Sequence, residues 1–173
     1  MLLLTAFIWG TAFVAQSVGM DYLEPFTFNG VRCLIGAIAL LPCIWFFNRG
    51  KEKENKINDE NAKRDLIKGG IACGILLFAA SSLQQIGLVY TAAGKAGFIT
   101  AFYIVLVPVF GIFLHKNIGW KVWTAVAIAL AGLYFLCITE AFTIGVGDIY
   151  VFLCALIFSV HILVVDHYSP KVD

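Results

Sequence analysis

The side chains that could take part in chemistry lie inside long apolar stretches of this 173-residue chain. Asn29 and Arg32 are three positions apart, and Ser81 and Gln85 are four apart, so each pair shares one face of a helix. Such groups are costly in an apolar environment unless they face protein or a water-filled cavity. Their residue types suit hydrogen bonding and charge pairing.

Six apolar stretches of 17 to 22 residues must position these side chains. A helix of about 20 residues crosses a hydrocarbon core of about 30 Å. With 61% hydrophobic residues and a mean hydropathy of +0.90, the sequence predicts an all-α, polytopic membrane helix bundle in the lipid bilayer. The six predicted transmembrane helices are 2–18, 26–47, 69–90, 95–114, 120–138 and 149–165.

The basic residues are distributed unevenly between the connections. Ten of the twelve fall on one side, Lys95 falls on the other, and Arg32 lies within the second stretch. The positive-inside rule therefore predicts a multi-pass protein of the cytoplasmic membrane, with the amino terminus and residue 173 on the cytoplasmic side. We expect 48–68 to be a flexible cytoplasmic loop. Its charges nearly cancel and it has no aromatic residue, which argues against nucleic-acid binding.

The sequence shows no pattern typical of an enzyme or a metal protein. Its five cysteines have no C-x-x-C spacing, its three histidines have no metal-ligand spacing, and it has no glycine-rich phosphate loop. Ser159 and His161 are two positions apart and point to different faces of a helix, so they form no catalytic pair. We therefore expect no catalytic residues, metal or cofactor.

Three stretches carry a stripe of small and polar residues at steps of three and four, which we expect to face the bundle interior. Gly97 lies on a small-residue face of the fourth stretch with Gly94 and Ala101, which predicts close helix packing. Pro108 predicts a kink there. The three stripes are Thr5, Trp9, Ala12 and Gln16; Asn29, Arg32, Gly36, Ala39 and Cys43; and Gly70, Gly74, Ser81 and Gln85, with Gln84 beside them.

Seven residues are candidates to contact a solute within the membrane. For each a structural role stays open: the amides could be interhelical hydrogen-bonding groups, the tryptophan a core or interface aromatic, and the histidine a packed side chain rather than a proton relay. The two cations could attract a carboxylate from the outer side. Alternatively Lys95 extends to the interface, and Arg32 pairs with Asp21, Glu24 or Asp148. The seven are Trp9, Gln16, Asn29, Arg32, Gln85, Lys95 and His161.

Several motifs, in a fixed order, carry a family resemblance. They are WGTAFV at 9–14, Pro25 followed by Arg32, YTAAGKAGFIT at 90–100 leading into VPV at 107–109, and Gly147-Asp148 before the last stretch. Together they resemble the EamA-type permeases of the drug/metabolite transporter superfamily over essentially the whole chain.

This resemblance implies two inverted five-helix halves in a ten-helix protein. Residues 1–138 would form the first repeat and 148–173 the start of a second, truncated one, whose remaining helices would be partners. Residues 152–162 align with 3–13, which agrees with a repeat.

The implied function is secondary transport, such as efflux, of a small organic metabolite, an amino acid or drug-like compound, by alternating access. A non-transporting membrane subunit and, less favoured, an intramembrane enzyme are the alternatives. Two copies could also associate as a homodimer.

Overall fold

The structure, a computed structural model, describes residues 2–50, 60–114, 119–137 and 145–172. The regular structure within these ranges is entirely helical, which confirms the all-α prediction. The helices are α1 (Leu2–Gly19), α2 (Pro25–Gly50), α3 (Glu60–Tyr90), α4 (Ala93–Ala101), α5 (Tyr103–Phe113), α6 (Trp120–Cys137) and α7 (Val146–Val172).

Five of the six predicted apolar stretches are helical over all their described residues, and the fourth is helical except at Phe102 and Leu114. Four segments are long and apolar enough to cross a membrane: Pro25–Phe46, Lys63–Tyr90, Ala93–Phe113 and Val146–Lys171. Over the described residues, α1 and α6 contribute the shorter apolar helices Leu3–Gly19 and Trp120–Gly132. The chain thus has the helices of a multi-pass membrane protein.

The predicted loop at 48–68 is wrong at both of its ends. Helix α2 continues to Gly50, and α3 already begins at Glu60, nine residues before the predicted start at Gly69. The segment 60–68 is rich in Glu, Ala, Lys, Arg and Leu, which have favourable helix propensities, so the apolar α3 extends into it. Residues 51–59 lie outside the described part of the chain.

The fourth predicted helix is interrupted at Phe102, between α4 and α5. The Phe102 amide donates to the Ile99 carbonyl at 3.2 Å, as in a tighter 3₁₀ turn. The kink was predicted at Pro108, but the break lies six residues earlier. A proline ring clashes with the carbonyl oxygen four residues before it, so the helix is distorted in the turns that precede Pro108.

Helices α3 and α7 form the most extensive helix pair among the described elements. They run antiparallel, because Gly87 on α3 meets Gly147 and Val151 on α7, while Gly69 meets Tyr168 at the opposite end. A Cβ atom built on Gly147 would lie 2.8 Å from the Gly87 carbonyl oxygen. Only glycine therefore permits the two backbones to approach so closely, as small residues do in membrane bundles.

The predicted close approach at Gly97 is wrong for the described chain. A Cβ atom on Gly97 would have no neighbouring atom within 4 Å, so a larger side chain would fit there. Helix α4 contacts its neighbours through Ala96 and Thr100, which are buried one position before and three positions after this glycine. Because a Cβ atom at Gly97 would meet no neighbour, the small size of glycine is not used for packing at this position.

The predicted stripes face the interior over only part of their lengths. Their buried members are Gln16, Asn29, Ser81, Gln84 and Gln85, while Arg32 is half-buried. The remaining members of the stripes are exposed, because α1 and α2 meet the rest of the described chain mainly near Gln16 and Asn29. Those exposed members are Thr5, Trp9, Ala12, Gly36, Ala39, Cys43, Gly70 and Gly74.

Candidate functional site

A polar turn on α3 lies at the centre of the buried polar groups. It consists of Ser81, Ser82, Gln84 and Gln85, each less than a tenth exposed. The apolar core beside it is small, with Leu88, Ala96 and Val151 buried together and Phe13, Ala93 and Ile99 packed against them. The interior of the described chain therefore contains polar as well as apolar side chains. This is unusual for helices whose outer surfaces are apolar.

Asn29 connects α2 to this polar turn. Its side chain is 1% exposed, and its Nδ2 donates to Ser81 Oγ at 3.0 Å and to Ser82 Oγ at 3.5 Å. Its Oδ1 accepts a hydrogen bond from the Arg32 guanidinium at 3.0 Å. One buried amide thus joins two helices and also fixes the position of a cation.

Gln84 connects the polar turn to α4 and α7. Its Nε2 donates to Thr100 Oγ1 at 3.3 Å, and the Cys154 thiol hydrogen bonds to its backbone. On α7, Ser159 is fully buried and donates to the Ala155 carbonyl at 2.7 Å. The Gln84–Thr100 bond is a structural contact between helices, whereas the Ser159 bond lies within α7, and both satisfy their donors inside the chain.

Gln85 differs from its neighbours because neither end of its amide has a partner. The residue is 0% exposed, and both Nε2 and Oε1 are buried without a hydrogen bond among the described residues. Gln16 on α1 is in a similar position: its Nε2 donates to the Ala12 carbonyl at 3.1 Å, while its buried Oε1 has no such bond. A buried polar group without a partner costs about 1 to 3 kcal/mol, and this distinguishes Gln85 and Gln16 from the other buried amides, Asn29 and Gln84.

A second polar group, around Asp148, joins the α3–α4 connection to the start of α7. Lys95 Nζ lies 2.5 Å from Asp148 Oδ2, and their side chains are 21% and 7% exposed. Thr91 Oγ1 donates to Asp148 Oδ1 at 3.0 Å, and the Gly145 amide donates to Oδ2 at 2.8 Å. Asp148 lies in the first turn of α7, where the helix dipole also favours a negative charge.

The structure therefore gives different surroundings to the two cations that were predicted to attract a carboxylate. The charge of Lys95 is compensated by Asp148 within the chain. Arg32 pairs with the neutral Asn29, and not with Asp21, Glu24 or Asp148, the partners proposed in the alternative interpretation. Among the described residues, the ion pair of these two cations is that of Lys95, and Arg32 bonds to the neutral Asn29.

Two of the seven candidates lie apart from the polar turn. Trp9 on α1 is 49% exposed. His161 on α7 is half-buried and meets Phe158 edge to face, with 6.4 Å between the ring centroids. The structure joins Asn29 to Arg32 and to the polar turn, and Trp9 and His161 are not among the hydrogen-bond partners described for these residues.

Several residues of the two polar groups were missed by sequence reasoning. Thr91 and Asp148 form one contact, and Ser82 and Thr100 complete the bonds of Asn29 and Gln84. A usable signal was present on α3, since Gln84, Gly87 and Thr91 recur at steps of three and four, as a face packed on one helix would. Within the described ranges, no group of three His, Cys, Asp or Glu side chains could hold a metal ion.

The fold and the buried polar groups define the class, a multi-pass helical membrane protein with polar contacts between its helices. The model of the EamA-like transporter family matches residues 1–138, and the chain belongs to this family, which confirms the resemblance of its motifs. It is 35% identical over 171 residues to an uncharacterized transporter of Archaeoglobus fulgidus. This alignment covers 97% of the chain and 48% of that relative, so the chain spans about half of the relative's length. No solved structure matches the chain.

Proposed function

We propose that this protein is a secondary transporter, which moves a small organic metabolite across the cytoplasmic membrane by alternating access. Membership of the EamA-like transporter family supports this proposal. In this proposal residues 1–138 form a first repeat and 148–173 begin a second one, inverted relative to the first. The bundles would rock around a site near the middle of the membrane, as inverted-repeat transporters do.

The observation that carries the proposal is the unpaired amide of Gln85. A side chain kept only to hold helices together would have both amide ends bonded, as Asn29 has. Since Gln85 is fully buried with both ends unpaired, its donor and acceptor suit a polar solute that enters and leaves. In this proposal the solute contacts Gln85, while Gln16, Asn29, Arg32, Trp9 and His161 stay candidates without a supporting contact.

Transport assays on vesicles that contain the full-length protein test this function. Uptake and efflux of a labelled metabolite panel, including amino acids and drug-like compounds, are measured with and without a proton gradient. Gln85→Leu is expected to lower the transport of the accepted solute, while Phe78→Leu, at an exposed position of the same helix, is the control. If no compound of the panel moves through the wild-type protein, transport is rejected in favour of a non-transporting subunit.

The orientation in the membrane is a separate part of the proposal. The distribution of basic residues places the amino terminus and residue 173 in the cytoplasm. A reporter fused after Asn55 should then be cytoplasmic, and one fused after Thr143 external, although both positions lie outside the described residues. Either reporter on the opposite side would contradict this topology.

A further inference from the structure

An apolar groove lies between the end of α5 and the second half of α7. The Phe102 ring, just before α5, packs against the Phe152 ring of α7, with 6.1 Å between their centroids. The groove has a volume of about 470 Å³, and its apolar lining is Phe110, Phe113, Leu114, Val160, Leu163 and Val164. These residues follow Phe102 and Phe152 by similar numbers of positions, so the two helices run parallel along the groove.

The groove is open to the surroundings of the described chain. Phe113 is 76% exposed and Val160 is 40% exposed. Both helices belong to segments that are long and apolar enough to cross a membrane, Ala93–Phe113 and Val146–Lys171. A groove left as a void loses the dispersion contacts of its lining. At this depth of the bilayer, the acyl chains of lipids are the molecules that can fill it.

The groove has the depth of one leaflet of the bilayer. Eleven positions separate Val160 from Lys171, which is a rise of about 16 Å along α7. This is close to half of a hydrocarbon core of about 30 Å. Since Lys171 also ends the apolar segment of α7, Val160 lies near the middle of the membrane when Lys171 reaches the headgroups. An acyl chain that starts at the headgroup covers the same distance.

A lysine ammonium lies at the end of the groove nearest the headgroups. His167 and Tyr168 line this end. Lys171 Nζ lies 2.8 Å from His167 Nε2 and 5.5 Å from the centroid of the Tyr168 ring. An ammonium group only donates hydrogen bonds, and it has three N–H donors, so the histidine ring is the acceptor. Two side chains of the groove thus position a cation that suits the phosphate oxygens of a lipid.

Cations outnumber carboxylates around this end of the groove. Gly69 on α3 contacts Tyr168, so the first turns of α3 lie beside the last turns of α7. Basic residues near a membrane surface each attract anionic lipids. This end therefore favours a headgroup with a net negative charge over a zwitterionic one. Residues 63–69 and 165–171 contain four cations and two carboxylates: Lys63, Arg64, Lys68 and Lys171, with Asp65 and Asp166.

We propose that the groove between α5 and α7 binds an anionic glycerophospholipid. The lipid belongs to the leaflet that contains the carboxyl end of α7, which is the cytoplasmic leaflet in the proposed topology. Its phosphate contacts Lys171, and one acyl chain lies along the groove against Phe113 and Val164. This site is separate from the amide of Gln85, and it does not depend on the transport function.

Binding of two lipids that differ only in their headgroups tests the role of the charge. Native mass spectrometry of the full-length protein in detergent measures its affinity for dioleoyl phosphatidylglycerol and dioleoyl phosphatidylcholine. We expect tighter binding of phosphatidylglycerol, and Lys171→Gln should weaken it about fivefold. The control is Lys121→Gln, which removes an exposed cation at the start of α6. Equal affinities for the two lipids, or equal losses in the two variants, would overturn the proposal.

A second variant tests the acyl-chain part of the site. Val164→Trp places a large ring in the groove and should lower the binding of both lipids, whereas Val122→Trp, at a 43% exposed position of α6, should not. The wild-type protein also gives the location directly. Phosphatidylglycerol with a diazirine on its acyl chain should label peptides that contain 110–114 and 160–164, and labelling confined to other helices would contradict the site.

A second copy of the chain is the alternative occupant of an apolar groove. The same mass spectra report the number of protein copies. A dimer that dissociates in Val164→Trp while phosphatidylglycerol binding stays unchanged would assign the groove to the second copy and overturn the lipid proposal. Loss of phosphatidylglycerol in Val164→Trp and Lys171→Gln, with the number of copies unchanged, supports the proposal.

Discussion

The α3–α7 pair and the α1–α2 pair have similar apolar surfaces but very different packing. Helices α3 and α7 are in contact from Gly69 against Tyr168 to Gly87 against Gly147. In α1 and α2, by contrast, the buried residues with described side chains are Gln16 and Asn29, one on each helix. Large apolar side chains such as Phe7 and Trp45 are exposed on the second pair.

This comparison shows that hydrophobicity alone does not decide which helices of a membrane protein pack against each other. Lipid tails are as apolar as leucine, so association needs close backbone approach or interhelical hydrogen bonds. The α3–α7 pair has both, through its paired glycines and through Asp148. Helix α2 bonds to α3 through Asn29, and most of its other described side chains are exposed.

The largest expected effect comes from breaking the ion pair at the start of α7. Asp148→Ala leaves Lys95 without its carboxylate, and removing one partner of a buried pair costs about 3 kcal/mol. We expect this loss in the free energy of unfolding, measured by titrating micellar protein with SDS. The control is Asp21→Ala at an exposed position, with an expected change below about 0.5 kcal/mol. Equal effects of the two would show that the pair does not hold α7.

The double variant Lys95→Met with Asp148→Leu sharpens this result. Replacing both charges by apolar side chains removes the uncompensated cation, and such replacements are often neutral for stability. We expect the double variant to recover most of the stability that Asp148→Ala loses, in the same SDS titration. If it is as unstable as Asp148→Ala, then the bonds of Thr91 and Gly145 to Asp148, rather than the ion pair, hold the helix.

The next largest loss of stability is expected at the contact between Gly87 on α3 and Gly147 on α7. Gly147→Ala places a methyl group 2.8 Å from the Gly87 carbonyl oxygen, so the backbones must separate, at a cost of about 2 kcal/mol. Gly97→Ala is the matched control. Its methyl group meets no atom within 4 Å, and alanine has the better helix propensity, so it should be neutral or stabilising. Thermal unfolding of both variants tests whether Gly147→Ala lowers the stability and Gly97→Ala does not.

A smaller effect is expected from the one polar contact of α2. Asn29→Ala removes the hydrogen bond to Ser81 and the acceptor of Arg32, which should cost about 1 kcal/mol. Cys43→Ala, on the exposed part of the same stripe, should change stability much less. Comparable losses in the two variants would mean that α2 packs along its whole stripe.

The smallest effects are expected on the exposed ends of the stripes. Gly36→Ala and Gly74→Ala should change the unfolding free energy of the 173-residue chain by no more than about 0.5 kcal/mol, since neither Cβ atom would meet a neighbour within 4 Å. A larger loss in either variant would show that another helix packs on these glycines.

The sequence predicted the helices well and the contacts between them only in part. Apolar length identifies a helix without knowledge of its neighbours, so all six stretches were found. Spacing on a single helix identified Asn29 and Gln85 as inward-facing, because amides in an apolar stretch have few other places to lie. Single-helix spacing cannot tell which partner a face meets. Gly97 and Gly87 look alike in sequence, and only the second opposes another glycine.

The pairing of Lys95 with Asp148 also could not be predicted from the spacing of residues on a single helix. These residues are 53 positions apart, and in the sequence Asp21, Glu24 and Asp148 were all possible partners of Arg32, while none was predicted for Lys95. Deciding between them requires the position of α7 relative to α3, which depends on the glycine contact. The helix start at Glu60 was missed for another reason, because a charged segment of good helix formers was interpreted as a loop.

The lengths of α3 and α7 connect this protein to the thickness of its membrane. With 31 and 27 residues they extend about 46 Å and 40 Å, against a hydrocarbon core of about 30 Å. Because the two helices are packed together, they must tilt jointly or project jointly into the headgroup layer, where Lys63, Arg64 and Lys68 would meet anionic lipids. Acyl-chain length would then set the tilt of the packed pair, so the bilayer itself acts on the geometry of the polar turn.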